Sequence, residues 1–565
     1  MGPESDPDAV VDNELKVDVF EEFGIVDDYA VPMVCNEPHC QNAVRERRSK
    51  NSVRSRVVEV MLNTTMYPLN PAERDIFSFM RDQYELPKGF KGPLAEYDFI
   101  VVGAGSAGSV LASRLSEGRR ASVLLLEAGR GESLLTDVPI LAPLFQQTDY
   151  TWQYLMEYQP GVCMAKQLGN RRTDYNSPDG FGFSYIQATM NRGRRHSSAK
   201  AFLHNVKKRK SLHILTSCRV TKVIIDPATK TALGVQFIRN GLVYEIRAKK
   251  EVILSAGPIE SPHLLMLSGV GPREQLDSVG IPVIHNLPVG QTLYDHISYP
   301  GLAFKLNTTR LTLVEKKIAT VENILQFTQY GDGPMSSLAG VETIGYIKTN
   351  VSDEIGDFPD IELLGSCAAL PSDEGHIVAK GIHLTDWLYD AVYKPIENIE
   401  SFTVLFMLLH PKSKGYLELR SKNPLDDVKM YGNYLTHQQD VDTMIAAIRY
   451  IQKMVATSYF QKYGAILDDT KFPNCRQYDF DSDAYWECAV RTMTATLHHQ
   501  ISTCKMGPNT DSSAVVDPEL RVYGVNNLRV VDSSVIPRTI AAHTNAPAIM
   551  IGEKGADMIR NRWKF

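Results

Sequence analysis

The sequence predicts an α/β protein with a Rossmann-like, parallel-sheet domain and a second domain in which an antiparallel sheet is backed by helices. Short apolar runs at Phe99 to Val102 and Val123 to Leu126 indicate buried parallel strands, with helical spacing from Ser109 to Ser116 between them. Strands at Val252 to Ser255 and Leu528 to Val531 are expected to return to the first domain and complete its sheet. The runs SFTVLFMLLH and GYLELR predict strands of the second domain. Apolar residues also recur at helical spacing across residues 437–458.

A glycine-rich turn follows the first strand. Gly103, Gly105 and Gly108 form the pattern G-x-G-x-x-G, with Ser106 inside it, and Glu127 ends the second strand. Gly103 permits a tight turn, Gly105 lets the backbone approach a pyrophosphate, and Gly108 allows the helix to pack closely on the strand. The helix N-terminus offers free N–H groups to phosphates, and Glu127 is at a distance suited to ribose hydroxyls. The pattern predicts an FAD/NAD(P)-binding domain and does not separate the two dinucleotides.

The overall composition narrows the class of protein and its partners. A length of 565 residues is enough for two or more domains, and a net charge of −6 argues against a nucleic-acid partner. No apolar run reaches the length of about 18 residues that a spanning helix needs, so no transmembrane segment is expected. Residues 1–30 lack a basic start followed by an apolar stretch, so we expect no signal peptide, and the compartment stays unknown.

The cysteines and histidines do not predict a metal centre. The eight cysteines form no paired, short-spaced zinc pattern. A zinc site at His498, His499 and His543 is disfavoured because no nearby carboxylate or cysteine completes a ligand set. Cys475 and Cys488 are close enough in sequence to pair in an oxidising compartment, and a disulfide and two free thiols both stay open.

Several further segments, taken together, resemble one enzyme family. They are EVILSAGPIESPHLLMLSGVG from Glu251, NRGRRHSSAKAFL from Asn191, LHHQISTCKMGP, and VVDSSVIPRTIAAHTNAPAIMIGEKGADMIR. With LLLEAG at the end of the second strand, they resemble the glucose–methanol–choline (GMC) oxidoreductases, and within them the arthropod glucose-dehydrogenase-like branch. The resemblance implies FAD as the cofactor, and members of the family are often extracellular.

The resemblance also implies roles for particular residues. His499 aligns with the family's catalytic base, and His543 with the residue that orients the substrate oxygen or shares its charge. A neutral imidazole is suited to take the hydroxyl proton near neutral pH, while the flavin takes the hydride. Val220 resembles the residue that contacts the adenine, and Asp532 and Asn545 resemble positions beside the flavin.

The resemblance divides the chain into three parts. Residues 1–95 form an extension that we expect to be partly disordered, because its apolar residues are scattered. Residues 96–294 and 480–565 form a discontinuous FAD-binding domain, and residues 295–479 form the substrate-binding domain.

The chain departs from the family pattern in two places. No Gly-Gly-Ser-Ser motif occurs, which we interpret as an internal deletion near Cys163 to Leu168 that removes the family's flavin lid. Residues 1–17 match residues 506–522 at eleven of seventeen positions, so the extension resembles the fused tail of a neighbouring copy. Such a repeat is either biological or the product of an incorrectly joined gene.

The predicted function is an FAD-dependent oxidoreductase that oxidises the CH–OH group of an alcohol or sugar, with oxygen or a quinone as electron acceptor. Two alternatives stay open. One is a hydroxynitrile-lyase-like enzyme that keeps the flavin but uses the histidines for acid–base chemistry. The other is a catalytically impaired remnant, since a flavin without its lid would be exposed to water.

Overall fold

The computed structural model describes residues 93–133, 135–147, 151–152, 181–308, 311–313, 318, 320–376, 378–397 and 399–565. The predicted deletion point and the N-terminal repeat lie outside these residues. None of the described helices is long and apolar enough to cross a membrane.

The strands in chain order are β1 (Glu96–Val102), β2 (Val123–Leu126), β3 (Gly182–Tyr185), β4 (Met190–Asn191), β5 (Arg194–Arg195), β6 (Leu212–Leu215), β7 (Arg219–Asp226), β8 (Thr231–Arg239), β9 (Leu242–Leu254), β10 (Val270–Gly271), β11 (His285–Asn286), β12 (Ile297–Ser298), β13 (Phe304–Lys305), β14 (Val341–Ile347), β15 (Ile361–Ser366), β16 (Ser401–Leu408), β17 (Tyr416–Glu418), β18 (Lys429–Tyr431), β19 (Ile466–Leu467), β20 (Ala495–Thr496) and β21 (Leu528–Val530). The α-helices are α1 (Ser106–Leu115), α2 (Gly257–Leu267), α3 (Arg273–Ser278), α4 (Val321–Tyr330), α5 (Val378–Gly381), α6 (Asp386–Val392), α7 (Gln438–Val455), α8 (Ser458–Gln461), α9 (Asp483–Met493) and α10 (Asn545–Trp563).

The first sheet carries the glycine-rich turn. Among the described residues, its strands run in the order β6-β2-β1-β9-β8-β7, and β21 pairs with β9 as well. Strands β6, β2, β1 and β21 are parallel to their neighbours, whereas β7, β8 and the first half of β9 form an antiparallel extension. The strands predicted at residues 252–255 and 528–531 to complete this sheet are therefore confirmed.

The turn between β1 and α1 has the shape that its glycines predict. Gly103 has a φ of +98°, and a Cβ there would lie 2.5 Å from the Ser255 carbonyl oxygen. A Cβ on Gly108 would lie 1.9 Å from the Gly103 carbonyl oxygen, so the helix can approach the turn only with glycine at this position. Since α1 is buried along most of its length, this close packing fixes where its N-terminus points.

The second sheet is antiparallel and carries its own core. Its main path runs β19-β13-β16-β15-β14-β3 in the described residues, with β12 joining β16 to β20. Helix α7 covers one side of it, and its buried apolar residues include Met444, Ile448, Ile451 and Val455. The helix predicted across residues 437–458 and the strand predicted from SFTVLFMLLH are both confirmed.

The other strand predicted for the second domain lies elsewhere. The run GYLELR forms β17, which pairs with β18 in a separate two-stranded sheet. Leu417 and Leu419 pack into the core of the first sheet, so this expectation was wrong. Apolar alternation predicts a strand with one buried face, but it does not say which core buries it.

The chain crosses between the two cores at points that the sequence division does not mark. Trp486 and its neighbours on α9 pack into the second core, although the boundary at residue 480 placed them in the FAD-binding domain. Strand β3 likewise pairs with β14 of the second sheet. A disulfide joins Cys475 to Cys488 on α9, which decides the pairing that the sequence left open.

Candidate active site

One cavity of about 540 Å³ lies where the carboxyl ends of the parallel strands meet the N-termini of α1 and α10. The predicted site residues that line it are Gly103, Gly105, Ser106, Glu127, Val220, His499, Asp532, His543 and Asn545. Gly108 does not line the cavity, because its position is filled by the packing of α1 on the turn. The structure therefore brings both predicted ends of the site, the glycine-rich turn and the histidine pair, onto one continuous surface.

The glycine-rich end of the cavity has the features of a phosphate site. A Cβ on Gly105 would meet no atom within 4 Å, so this position faces open space, which a side chain would narrow. The Ser106 hydroxyl donates to Asn545 Oδ1 at 2.6 Å, which ties the first residue of α1 to the first residue of α10. Two positive helix ends therefore meet here, and they fit the negative charge of the FAD pyrophosphate.

Glu127 lies at the end of β2 and faces the same cavity. Its carboxylate oxygens accept the backbone N–H groups of Ala104 at 2.6 Å and of Gly129 at 2.7 Å. Each carboxylate oxygen has a second lone pair, so Glu127 can accept ribose hydroxyls while it keeps both backbone bonds. The residues present at this end fit the adenosine half of FAD.

Val220 and Asp532 line the cavity in different ways. Val220 lies on β7 next to Arg219, whose guanidinium stacks over the Trp152 ring at 4.6 Å. Asp532 accepts hydrogen bonds from the Ser261 hydroxyl at 2.6 Å and from the Gly257 N–H at 3.0 Å, and burial raises its pKa. Its carboxylate thus joins the start of α2 to the end of β21 and supports the cavity wall.

The two predicted catalytic histidines lie edge to face, with ring centroids 4.8 Å apart. His499 is 9% exposed, and burial, reinforced by the neighbouring histidines, lowers its pKa to about 2. His543 is partly open to the cavity, and its Nε2 lies 2.8 Å from Glu362 Oε1. Burial opposes a charge on His543, but the Glu362 carboxylate outweighs it and raises the pKa. The pair therefore combines an imidazole whose pKa is lowered with one whose pKa is raised.

Three residues around the histidines were not predicted. Glu362 on β15 is fully buried, and its second oxygen has no hydrogen-bond partner in the described part of the chain. Asp295 accepts the backbone N–H of His499 at 3.0 Å, and His296 Nδ1 lies 3.0 Å from His499 Nδ1. A signal for Glu362 was present, because a carboxylate within the apolar run IELL is unusual unless it has a partner.

Metal ligation finds no support in the same region. Across the described ranges, no group of three or more His, Cys, Asp or Glu side chains is arranged to hold a metal ion. His498 has a φ of +58° and is exposed, whereas His499 is buried, and both line the cavity.

A dinucleotide-binding sheet and a buried histidine that share one cavity are the features of a dinucleotide-dependent oxidoreductase. The comparisons with known proteins agree. Family models described as GMC oxidoreductase match residues 160–298 and 411–552. The chain belongs to the GMC oxidoreductase family, whose members bind FAD and act on the CH–OH groups of alcohols or sugars.

Similar proteins include two from insects. Glucose dehydrogenase [FAD, quinone] of Drosophila melanogaster is 32% identical, over 83% of this chain and 88% of its own length. Ecdysone oxidase of Spodoptera littoralis is 29% identical, over 83% of this chain and 92% of its own length. The first match spans 575 residues yet uses 83% of this 565-residue chain, so that relative has positions with no counterpart here.

Solved structures with the same fold include a formate oxidase and a pyridoxine 4-oxidase from Mesorbium loti. The formate oxidase has a TM-score of 0.66 at 23% identity and covers 83% of this chain and 99% of its own. The pyridoxine 4-oxidase has a TM-score of 0.66 at 22% identity and covers 82% and 99%. These likenesses establish the fold alone, and the comparisons give no support to the lyase or the impaired remnant.

Proposed function

We propose that this enzyme oxidises a hydroxyl of a sugar, with His499 as the proton acceptor and a quinone as the electron acceptor. The observation that carries the proposal is the single cavity that the glycine-rich turn and the two histidines line together. The similarity to a glucose dehydrogenase [FAD, quinone] supports both the sugar and the quinone.

Bound FAD supplies the acceptor for the hydride that leaves the carbon of the substrate. In this proposal His499 takes the hydroxyl proton, because its neutral ring lines the cavity and has a lone pair available. Its lowered pKa makes it a weak base, so the transfer depends on the charge that His543 places beside the substrate oxygen. The nearly complete burial of His499 also excludes water from the donor–acceptor pair.

His543 has the complementary task in this proposal. As an imidazolium, it donates from Nε2 to Glu362, which leaves Nδ1–H for the substrate oxygen. That oxygen gains negative charge as its proton leaves, so a positive donor held beside it stabilises the transition state more than the ground state.

The remaining predicted residues are proposed to hold FAD. Gly103, Gly105 and Ser106 would surround the pyrophosphate, and Glu127 would accept the ribose hydroxyls. Val220 would contact the adenine, Asn545 would lie beside Ser106 where the pyrophosphate leads to the flavin, and Asp532 would support the flavin end. Gly108 acts through packing. In this arrangement the first sheet would carry the cofactor, and the second sheet supplies Glu362, which bonds to His543 in the cavity wall.

The test is the visible spectrum of the purified protein under anaerobic conditions. We expect a yellow protein with one FAD per chain, bleached by D-glucose and recoloured faster by benzoquinone than by oxygen. Ecdysone and benzyl alcohol are tested separately as alternative substrates. Bleaching by ecdysone alone would mean that the substrate is a steroid and not a sugar. A colourless protein, or a yellow one that no alcohol bleaches, would contradict the proposal.

Variants assign the proton acceptor. The substitution His499→Gln removes the base, and we expect flavin reduction to slow by about 10³-fold, within the range that general bases contribute. His204→Gln is the matched control, because His204 is an exposed histidine outside the cavity. Equal rates in the two variants would remove His499 from the mechanism.

A further inference from the structure

The dipeptide Asp295–His296 lies immediately before β12 and reaches His499 from two sides. We propose that Asp295 and His296 are positioning residues that fix the backbone and the ring tautomer of His499, so that its Nε2 receives the substrate proton. The inference rests on the proposed role of His499 as the proton acceptor.

The rings of His296 and His499 face each other through their Nδ1 atoms. His296 Nδ1 and His499 Nδ1 are 3.0 Å apart, and the rings meet edge to face with centroids 5.2 Å apart. Burial lowers the pKa of His296 to about 3, so both rings are neutral and each carries one hydrogen. One Nδ1 must therefore donate and the other must accept.

The surroundings of His296 decide which ring donates. His296 is 1% exposed, and the backbone carbonyls of Leu409 and Ile540 act on it as acceptors. Neither carbonyl reaches full hydrogen-bond geometry with Nε2, yet both can only accept, so they favour the tautomer with hydrogen on Nε2. His296 Nδ1 then accepts, His499 Nδ1–H donates, and the lone pair of His499 lies on Nε2.

The backbone of His499 is held by Asp295. Its N–H donates to Asp295 Oδ1 at 3.0 Å. The other oxygen of Asp295 accepts from the Tyr434 hydroxyl at 2.5 Å, the Thr496 hydroxyl at 2.5 Å and the Gln500 amide at 3.0 Å. Asp295 is 2% exposed, so these four bonds act in a dry environment where each is strong.

The segment that these bonds hold contains a residue in the left-handed conformation. His498 has a φ of +58°, a left-handed conformation that non-glycine residues rarely adopt, and its N–H bonds to the Thr496 hydroxyl. Asp295 thus binds residues on both sides of the left-handed position. Such a backbone conformation persists when several surrounding contacts hold it, and this is typical of places where a side chain must keep one orientation.

The tautomer is tested directly by the ring ¹⁵N chemical shifts of the FAD-bound enzyme grown with ¹⁵N-histidine. Signals of His499 and His296 are assigned by their loss in His499→Gln and His296→Asn. We expect hydrogen on Nδ1 of His499 and on Nε2 of His296. Hydrogen on Nε2 of His499 would overturn the inference, whatever the enzyme does to alcohols.

The kinetic test uses the limiting rate of flavin reduction by D-glucose, or by whichever alcohol bleaches the wild type. His296→Leu keeps the volume but offers no acceptor, and we expect the rate to fall about 100-fold with little change in the half-saturating concentration. His296→Asn places an amide oxygen near the position of Nδ1 and should restore the rate to within about tenfold of wild type.

The same logic applies to Asp295. Asp295→Ala removes the acceptor of the His499 N–H and should slow reduction about 100-fold, while Asp295→Asn keeps an oxygen and recovers most of the rate. If Asp295→Ala does not fold, Thr496→Val removes one donor to Asp295 and should slow reduction about tenfold. Asp440→Asn is the matched control, because Asp440 is a buried carboxylate that accepts two backbone N–H groups away from the cavity.

The outcomes separate this inference from the proposed function. A wild-type enzyme that no alcohol reduces contradicts the proposed function, while the ring ¹⁵N shifts still decide the tautomer. Unchanged reduction rates in folded, FAD-loaded His296→Leu and Asp295→Ala would overturn the positioning role. A fall in Asp440→Asn as large as in these variants would also overturn it, because the effect would then be general to buried carboxylates.

Discussion

A single buried carboxylate sets the charge of the substrate side of the cavity. Glu362 bonds to His543 Nε2 at 2.8 Å and raises its pKa, whereas His499, whose ring contacts histidines, has a lowered pKa. Two histidines of ordinary solution pKa of ~6.5 thus have pKa values shifted in opposite directions, His499 mainly by burial and His543 by the Glu362 carboxylate. At the residue scale, the chemistry of the site depends on these contacts.

Glu362→Gln tests this division. In the wild type the raised pKa keeps His543 protonated to a pH above its ordinary value, and the charge is lost as the pH rises through the raised pKa. The variant loses the carboxylate, so we expect the alkaline fall in the rate of flavin reduction to move to lower pH. In the wild type, the His543–Glu362 pair should stabilise the fold at pH values below the ordinary histidine pKa. This stabilisation should be lost as the pH rises through the raised pKa of His543, and the variant should lack it.

The measurement is the pH profile of anaerobic flavin reduction, with unfolding temperatures recorded at each pH. Glu342→Gln is the control, because Glu342 is an exposed glutamate on β14, the neighbouring strand. If the profile of Glu362→Gln coincides with that of the control, His543 is not the group whose charge governs the reaction.

Two glycines of the turn should respond differently to the same substitution by alanine. Gly105→Ala adds a methyl group to open space, so we expect an unchanged unfolding temperature without FAD but weaker FAD binding. Gly108→Ala drives a methyl group into the Gly103 carbonyl and should destabilise the protein with or without FAD. Thermal unfolding and FAD titration of both variants, side by side, separate these effects; equal loss of stability in the two would contradict the roles assigned here.

At the element scale, two helix ends shape one end of the cavity, and one disulfide braces a helix of the second core. The N-termini of α1 and α10 meet through the Ser106–Asn545 hydrogen bond, which concentrates their positive ends at one point. In the second core, the disulfide between Cys475 and Cys488 ties the turn before α9 to that helix, whose Trp486 is buried there.

Loss of this disulfide should destabilise the protein. The bridge closes a loop with a sequence separation of 13 residues, for which chain entropy predicts about 3 kcal/mol of stabilisation. We expect Cys488→Ala to lower the free energy of unfolding by about this amount in denaturant titrations. Reductant should lower the stability of the wild type and leave the variant unchanged; a wild type insensitive to reductant would mean that the bond is absent in solution.

At the scale of the whole molecule, the cavity lies where groups supplied by two separate sheets meet. The glycine-rich turn leaves the first sheet, and Glu362 projects from the second. A cofactor that fills such a cavity binds only the folded chain, so its binding free energy adds to the stability of the whole.

FAD should therefore raise the unfolding temperature in a concentration-dependent way. At a hundred times the dissociation constant, the added stability is about 2.7 kcal/mol. We expect this rise in calorimetric scans of the wild type, and a smaller rise at the same FAD concentration in Gly105→Ala. An unfolding temperature that does not depend on FAD would contradict cofactor binding in this cavity.

The sequence by itself determined the strand–turn–helix from β1 to β2, because three glycines and two buried strands impose one local shape. It also determined the returning strands and helix α7, whose periodicity is read along a continuous segment. The family membership followed from motifs spread along the chain. The family models agree with it, and the likeness to the formate oxidase agrees with the fold.

Only the tertiary structure decided which core buries a given segment and which side chains meet across it. β17 packs against the first sheet and α9 against the second, because apolar faces are interchangeable until the chain has folded. Glu362 lies 181 residues from His543, and Asp295 lies 204 residues from His499, so no local pattern links them. The sequence determined where the histidines stand, and the fold decided which of them has a raised pKa, because a pKa depends on neighbours that only the fold brings together.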